Sequence, residues 1–502
     1  MEGDGVKATD VPRPMLRREM GLLALTATGI CSMIGAAINV IPFMIQKNVP
    51  GIGPYVLPAY VCAAVPAVLA ALAYAILASA MPRAGGSYVY ASRALSPYLG
   101  FVASFSQWFG LSTAIGVVSY VLVAFLRDIA LPLGFTGLAH TMETGLMRPA
   151  IALAFLWLFV GVNLRGLKSY ERTLIPLMVV MFVAGSIVIV AGFRFDQADF
   201  GVALRAREGA SLPETPEAPF DLSKFLAAAS ILFSSFIGFD SIAQAGGEAK
   251  NPGRNLPLAI GLAMVSVGGF YLLFTAAVYH AVPWAYVAEQ AMERDVTAPG
   301  LLGMLLSPGW TVLIVGGAAV ALTNDLPAML LAVSRLMFAW AEDGVFPAVV
   351  ARVHPRWGTP HVALLVSGLM ASLSILGAHV ASDFFLGVDI LVTSMLVNFL
   401  LMCASVLALK RRNPEIYRNI TVLRSRWIQI ALSAVGLFAL GGFLAVHIAK
   451  DLAAPGTPWA LRSTFVWAMV MALASLIYWI EVGKLKRQGI DLAAHFKALP
   501  AE

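Results

Sequence analysis

The sequence predicts an all-α polytopic membrane protein of about twelve membrane-spanning helices. Three observations predict it. Of 502 residues, 59% are apolar and only 12% charged, roughly half the charge of an ordinary soluble domain. The mean hydropathy is +0.81, and the apolar residues gather into runs of the ~20 residues that a helix needs to cross a bilayer core. The runs are nearly continuous rather than alternating, which favours helices over a membrane barrel. This composition excludes a disordered chain and argues against a large soluble enzyme.

Twelve runs qualify: residues 21–45, 53–80, 97–126, 149–164, 173–193, 225–247, 256–281, 311–341, 361–379, 384–409, 427–449 and 463–482, called spans 1 to 12. Gly35, Pro42, Pro66, Pro176, Gly238 and Pro327 lie inside them. Membrane helices tolerate such breakers where neighbours or water satisfy the freed backbone. Span 1 is too long for a cleavable signal peptide and carries no convincing small-residue cleavage site.

Charge placement gives the orientation. With the N-terminus inside and the spans alternating, 24 of the 34 Lys and Arg fall on the inner side. That bias puts both termini in the cytoplasm of a cytoplasmic-membrane protein. The formal charge of +6 therefore faces the lipid bilayer's anionic inner leaflet, and nucleic acid is not expected as a partner. The segment 194–224 is an outer loop, acidic on balance and rich in proline at Pro213, Pro216 and Pro219.

Sites for metals and nucleotides are not indicated. Cys31, Cys62 and Cys403 are scattered, and the seven histidines show no metal-binding pair. No P-loop pattern is present, so ATP-driven work by this chain alone is not expected. No nucleophile–base pair or metal cluster lies inside the spans, so the chain reads as a non-enzyme without a cofactor.

Three acids fall inside spans and clear of their last two residues: Asp240, Asp325 and Asp389. An ionisable group there costs at least ~2.5 kcal/mol near the centre of a helix. Asp240 and Asp325 are therefore functional candidates, with helix–helix packing as the alternative role. Asp389 lies nearer the outer end of span 10.

Spans 1 and 6 share a short pattern. Span 1 carries Ser32-Met33-Ile34-Gly35-Ala36-Ala37-Ile38, and span 6 carries Ser235-Phe236-Ile237-Gly238-Phe239-Asp240-Ser241. The two copies cross the membrane in opposite directions, as an inverted repeat of five helices each requires. Glycine costs about 1 kcal/mol relative to alanine in a helix interior, and Ser and Asp compete for backbone hydrogen bonds. If both helices unwind there, their half-helix ends can hold a carboxylate and an ammonium group, which suits a zwitterionic amino acid.

The chain resembles the amino acid–polyamine–organocation transporter superfamily over about residues 15–485. The most specific stretch is Phe233 to Ser241 with the following Gly247-Glu248-Ala249-Lys250-Asn251-Pro252-Gly253-Arg254-Asn255-Leu256-Pro257. Others are Met81-Pro82-Arg83-Ala84-Gly85-Gly86-Ser87-Tyr88, and Ser334-Arg335-Leu336-Met337-Phe338-Ala339 continuing to Gly358-Thr359-Pro360.

The resemblance implies a LeuT-like core. Residues 1–20 form a cytoplasmic segment, 21–193 and 225–409 the two inverted five-helix repeats, 427–482 two peripheral helices, and 483–502 a cytoplasmic tail. It implies a secondary active permease moving amino acids by alternating access, as symport or exchange. The substrate carboxylate would meet Ile34, Gly35, Ala36, Ala37 and Ile38, flanked by Ser32 and Asn39. The amino group and side chain would meet Ser234, Ser235, Gly238 and Asp240. Phe233, Phe236 and Phe239 are gating candidates, and Asp240, Asn324 and Asp325 are candidates for proton or cation coupling. The coupling ion, H+ or Na+, and the oligomeric state are not set by the sequence.

Three departures from the family pattern stand out. Ala37 replaces the usual second glycine, Asn39 stands where an aromatic is common, and residues 173–193 contain no lysine. Glu248 and Arg254, with Arg83 or Arg335, are expected to form an inner gate network of weak, exposed ion pairs. A polyamine or other organic-cation carrier is the alternative within transport. A membrane-embedded enzyme or a channel is more remote.

Overall fold

The computed structural model describes residues 18–381, 384–454 and 458–500. Eleven helices among them are long and apolar enough to cross a membrane. They match spans 2 to 12 closely: span 2 is Gly53–Ala80, span 3 Pro97–Ala130, span 6 Leu222–Gln244, span 8 Pro308–Glu342, span 10 Phe385–Arg412 and span 12 Ser463–Arg487. No β-sheet forms among the described residues. The chain is an all-α polytopic membrane protein.

Span 1 is the twelfth, and it is not one helix. It runs as Leu22–Met33, Ala36–Asn39 and Ile41–Asn48. The first piece stops where Ile34 turns extended (φ −90°, ψ 104°). Span 6 breaks in the same way. A helix Leu222–Leu232 tightens to a 3₁₀ turn at Phe233–Phe236, Ile237 is extended, and Ser241–Gln244 resumes as helix. Gly238 sits at φ 135°, a conformation that L side chains rarely adopt.

The broken helices occupy the centre. Buried residues make up 94% of the apolar core of span 3 and 89% of that of span 6, against 33% and 22% for spans 11 and 12. Spans 3, 6, 8 and 10 form the interior, while spans 11 and 12 lie on the rim. The loop expected at 194–224 contains a helix, Gln197–Glu208, which the sequence reading did not foresee. Its start is a reciprocal cap: Asp196 accepts from the Ala198 and Asp199 amides at 2.8 and 2.9 Å, and Asp199 accepts from the Asp196 amide at 3.1 Å. Local hydrogen bonding at the helix start supplies what its polar sequence lacks in apolar periodicity.

At the end of the bundle where Lys and Arg concentrate, backbone meets backbone. Ala84 bridges Ala245, and Met20 bridges Ala249. The Gly85 amide donates to the Gln244 carbonyl at 3.3 Å. A Cβ on Gly246 would strike the Arg83 backbone, and one on Gly86 would strike Ala243. This glycine-lined seam closes the basic end over the shortened inner half of span 6.

Gly238→Ala is expected to lower stability by roughly 1–3 kcal/mol, the ordinary cost of a disfavoured backbone region. Gly261→Ala, in span 7 with open space around it, is the matched control and should not destabilise. Thermal unfolding of the two purified variants in detergent measures the difference.

Candidate functional site

The two breaks lie against one another. Gly238 packs on the carbonyl of Ser32, where any side chain would collide. Beside that contact the Ser32 and Ser241 hydroxyls hydrogen-bond at 2.9 Å. The carbonyls freed in span 1 find side-chain donors. Tyr271 of span 7 donates its hydroxyl to the Met33 carbonyl. Asn39 donates its amide to the Gly35 carbonyl at 2.9 Å. A helix interrupted inside a membrane bundle persists only where such partners exist.

Each break holds a buried carboxylate. Asp240 is fully buried. Its Oδ1 accepts the Gly238 amide at 3.0 Å, and its Oδ2 accepts the side-chain amide of Gln107 in span 3. Gln107 Oε1 in turn accepts the Ser87 hydroxyl at 2.5 Å and Gln244 Nε2 at 3.1 Å. Two donors on Oε1 fix the amide so that its nitrogen faces Asp240. Asp325, also buried, lies directly against Gly35, and a Cβ there would coincide with its carboxylate.

Asn324 marks the junction of spans 1, 5 and 8. Its Nδ2 lies 2.9 Å from Cys31 Sγ and 3.3 Å from the Leu174 carbonyl. Thr28 and Tyr170 add a hydroxyl pair between spans 1 and 5 at 2.9 Å.

The sequence candidates divide by position. Ser32, Gly35, Gly238, Asp240 and Asp325 converge at the breaks. Ile34, Ile38 and Asn39 line a small gap of about 10 Å³ with Met181, Phe274 and Ile314 of spans 5, 7 and 8. Ala36 and Ala37 lie in the second helical piece of span 1, and their side chains are outside the described set. Ser234 and Ser235 are buried in the 3₁₀ turn, and Ser234 Oγ has no hydrogen-bond partner among the described residues. Phe236 packs against Tyr60 at 5.3 Å and Tyr271 at 5.8 Å, beside the breaks. Phe239 stacks on Phe399 at 5.1 Å, and Phe233 meets Phe399 and Phe443. Asp389 lies near the start of span 10, where its carbonyl faces buried His447 at 3.2 Å.

Sequence reasoning missed Gln107, Ser87, Gln244 and Tyr271. A search for charges inside spans passes over neutral amides and hydroxyls. Gln107 was nevertheless visible as a large polar residue inside span 3.

A match to the amino acid permease family model covers residues 20–474. The chain belongs to that family. It is 29% identical to cationic amino acid transporter 4 of Mus musculus over 72% of this chain, and spans only about half (55%) of that relative's length. It is 27% identical to the branched-chain amino acid permease BcaP of Bacillus subtilis, over 80% of this chain and 83% of the relative. An uncharacterised transporter of Mycobacterium tuberculosis is 31% identical over 75% of this chain and 78% of its own.

The inner network differs from expectation in energetic character. Arg335 pairs with Glu248 through two contacts, at 2.6 and 3.2 Å, and both side chains are buried. Arg254 is exposed, and Arg83 turns toward the segment after span 12. A buried pair is not a weak one to break. Losing one partner strands a charge at a cost of about 3–5 kcal/mol. Arg335→Leu and Glu248→Leu should each destabilise by about that amount. The double variant should recover much of the loss, because neither charge is then stranded. Unfolding temperatures of the three variants in detergent form the test, and simple additivity would contradict the pairing.

Proposed function

We propose that this permease takes up an α-amino acid by alternating access, with the substrate held where spans 1 and 6 break. The observation that carries this reading is a buried carboxylate at each of two abutting helix breaks. Half-helix ends offer N–H groups to a carboxylate and C=O groups to an ammonium or cation. Gly35 is the natural place for the substrate carboxylate, because its lack of a side chain allows close approach. Asp240, beside Gly238, suits the amino group. Two relatives are named for cationic and for branched-chain amino acids, and an amino acid of either kind carries both groups.

Asp325 supports a coupling mechanism. It lies against Gly35, so an incoming carboxylate and Asp325 compete for one place. Two like charges cannot share it. Substrate entry then goes with Asp325 taking a proton, which makes the carrier a proton symporter.

In this reading spans 1–5 and 6–10 are the inverted repeats and spans 11–12 are peripheral. The basic end and both termini face the cytoplasm of the plasma membrane. A polyamine carrier is the second reading, favoured by the presence of two carboxylates rather than one.

Uptake into proteoliposomes tests these points together. An inward proton gradient should raise uptake, and exchanging sodium for potassium should leave it unchanged. Gly35→Val, whose side chain would meet Asp325, should abolish uptake, and its thermal unfolding in detergent separates loss of transport from loss of fold. Asp325→Asn should flatten the dependence on external acidity. Transport blocked by putrescine but indifferent to amino acids would select the polyamine reading.

A further inference from the structure

The chain does not leave the molecule after span 12. Residues 492–500 turn back across the basic end. Phe496 is buried there, 5.1 Å from the guanidinium carbon of Arg93. Three side-chain donors hold the main chain that follows. Asn413 Nδ2 reaches the Lys497 carbonyl at 2.9 Å, Arg93 Nε the Ala498 carbonyl at 3.1 Å, and Arg83 Nε the Pro500 carbonyl at 3.1 Å. Leu492 and Leu499 rest on the core, and His495 Nε2 stands 3.9 Å from Asp343 Oδ1.

These anchors come from separate parts of the bundle. Arg83 follows span 2 and forms the backbone on which Gly246 of span 6 closes. Arg93 belongs to the helix Gly86–Ala94, Asp343 ends span 8, and Asn413 ends span 10. The segment therefore straps the glycine seam to the cytoplasmic-side ends of spans 8 and 10.

The contacts are built to release. Arg93 also forms a two-contact ion pair with Asp343, at 2.5 and 3.2 Å, to which the strap contributes no atom. No buried charge is stranded by lifting, which removes the largest barrier to it. Arg83 is only half-buried and can be solvated, and His495, Lys497 and Ala498 are exposed. One aromatic anchor and three main-chain carbonyls make up most of the attachment.

We propose that residues 492–500 are a latch: a helical turn at Leu492–His495 and the short stretch after it, docked in a groove of Arg83, Arg93 and Asn413, which must lift before the seam at Arg83 and Gly246 can part. The groove recognises main-chain carbonyls through fixed donors and one aromatic side chain through Arg93. The proposal rests on the alternating-access reading, because a seam that never opens needs no latch.

The test compares the full chain, Phe496→Ala, and a chain ending at Asp491, each reconstituted in proteoliposomes. Both changes should raise initial uptake about fivefold or more, the ordinary size of an intramolecular coupling. A synthetic peptide of residues 491–502 supplied at the basic face should return the shortened carrier toward the full-length rate, and a scrambled peptide should not. Seam opening is read separately by maleimide labelling of Ala245→Cys in a Cys62→Ser background, and labelling should quicken by a similar factor when the latch is removed. Unchanged labelling and uptake in monodisperse Phe496→Ala would overturn the latch, as would a fall in both. If the full chain shows no uptake, the transport reading fails, and the labelling rates still decide whether the segment holds the seam.

Discussion

The contact between Gly238 and the Ser32 carbonyl governs the centre of this protein. Two helices are broken at one level and laid against each other where little water can satisfy backbone groups. Every freed group then needs a protein partner, and most of those identified come from other spans or from the break itself. Tyr271 takes the Met33 carbonyl, Asn39 the Gly35 carbonyl, and Asp240 the Gly238 amide. Of the surrounding spans, 3 and 8 are among the most buried in the molecule. The breaks cannot be altered without disturbing spans 3, 7 and 8, which supply or hold the partners.

The same constraint explains the charges. Carboxylates at the breaks are tolerable only because neighbouring donors are fixed in place, as Gln107 is fixed by Ser87 and Gln244. At the ends of the bundle, charge is used in pairs. Glu248–Arg335 and Arg93–Asp343 lie at the basic end. Arg127 joins Asp128 at 2.8 Å and Glu143 at 3.0 Å at the other. Such pairs favour one closed arrangement over alternatives that would leave a charge buried alone.

Much of the fold was legible. Span 2 was placed at its observed limits, and spans 3 to 12 within a few residues, because apolar length alone sets a membrane helix. The breaks were also readable at Gly35 and Gly238, since small and polar residues weaken helix locally. The helix Gln197–Glu208 was missed, being polar and held by its cap rather than by an apolar face. The Glu248–Arg335 pair was expected as an exposed contact, because a loop residue in sequence carries no sign of the seam that buries it.

By itself, the sequence determined the membrane class, the number and limits of the spans, the two weak points and the acids that needed explanation. These are properties of single residues and short windows, so chain order suffices to read them. Tertiary structure alone decided which groups meet: Asp325 against Gly35, Gln107 against Asp240, Asn324 against Leu174, and Phe496 against Arg93. Each joins residues distant in the chain, and the buried positions make such neighbours decisive, because a polar group without water must be satisfied by whatever the packing brings beside it.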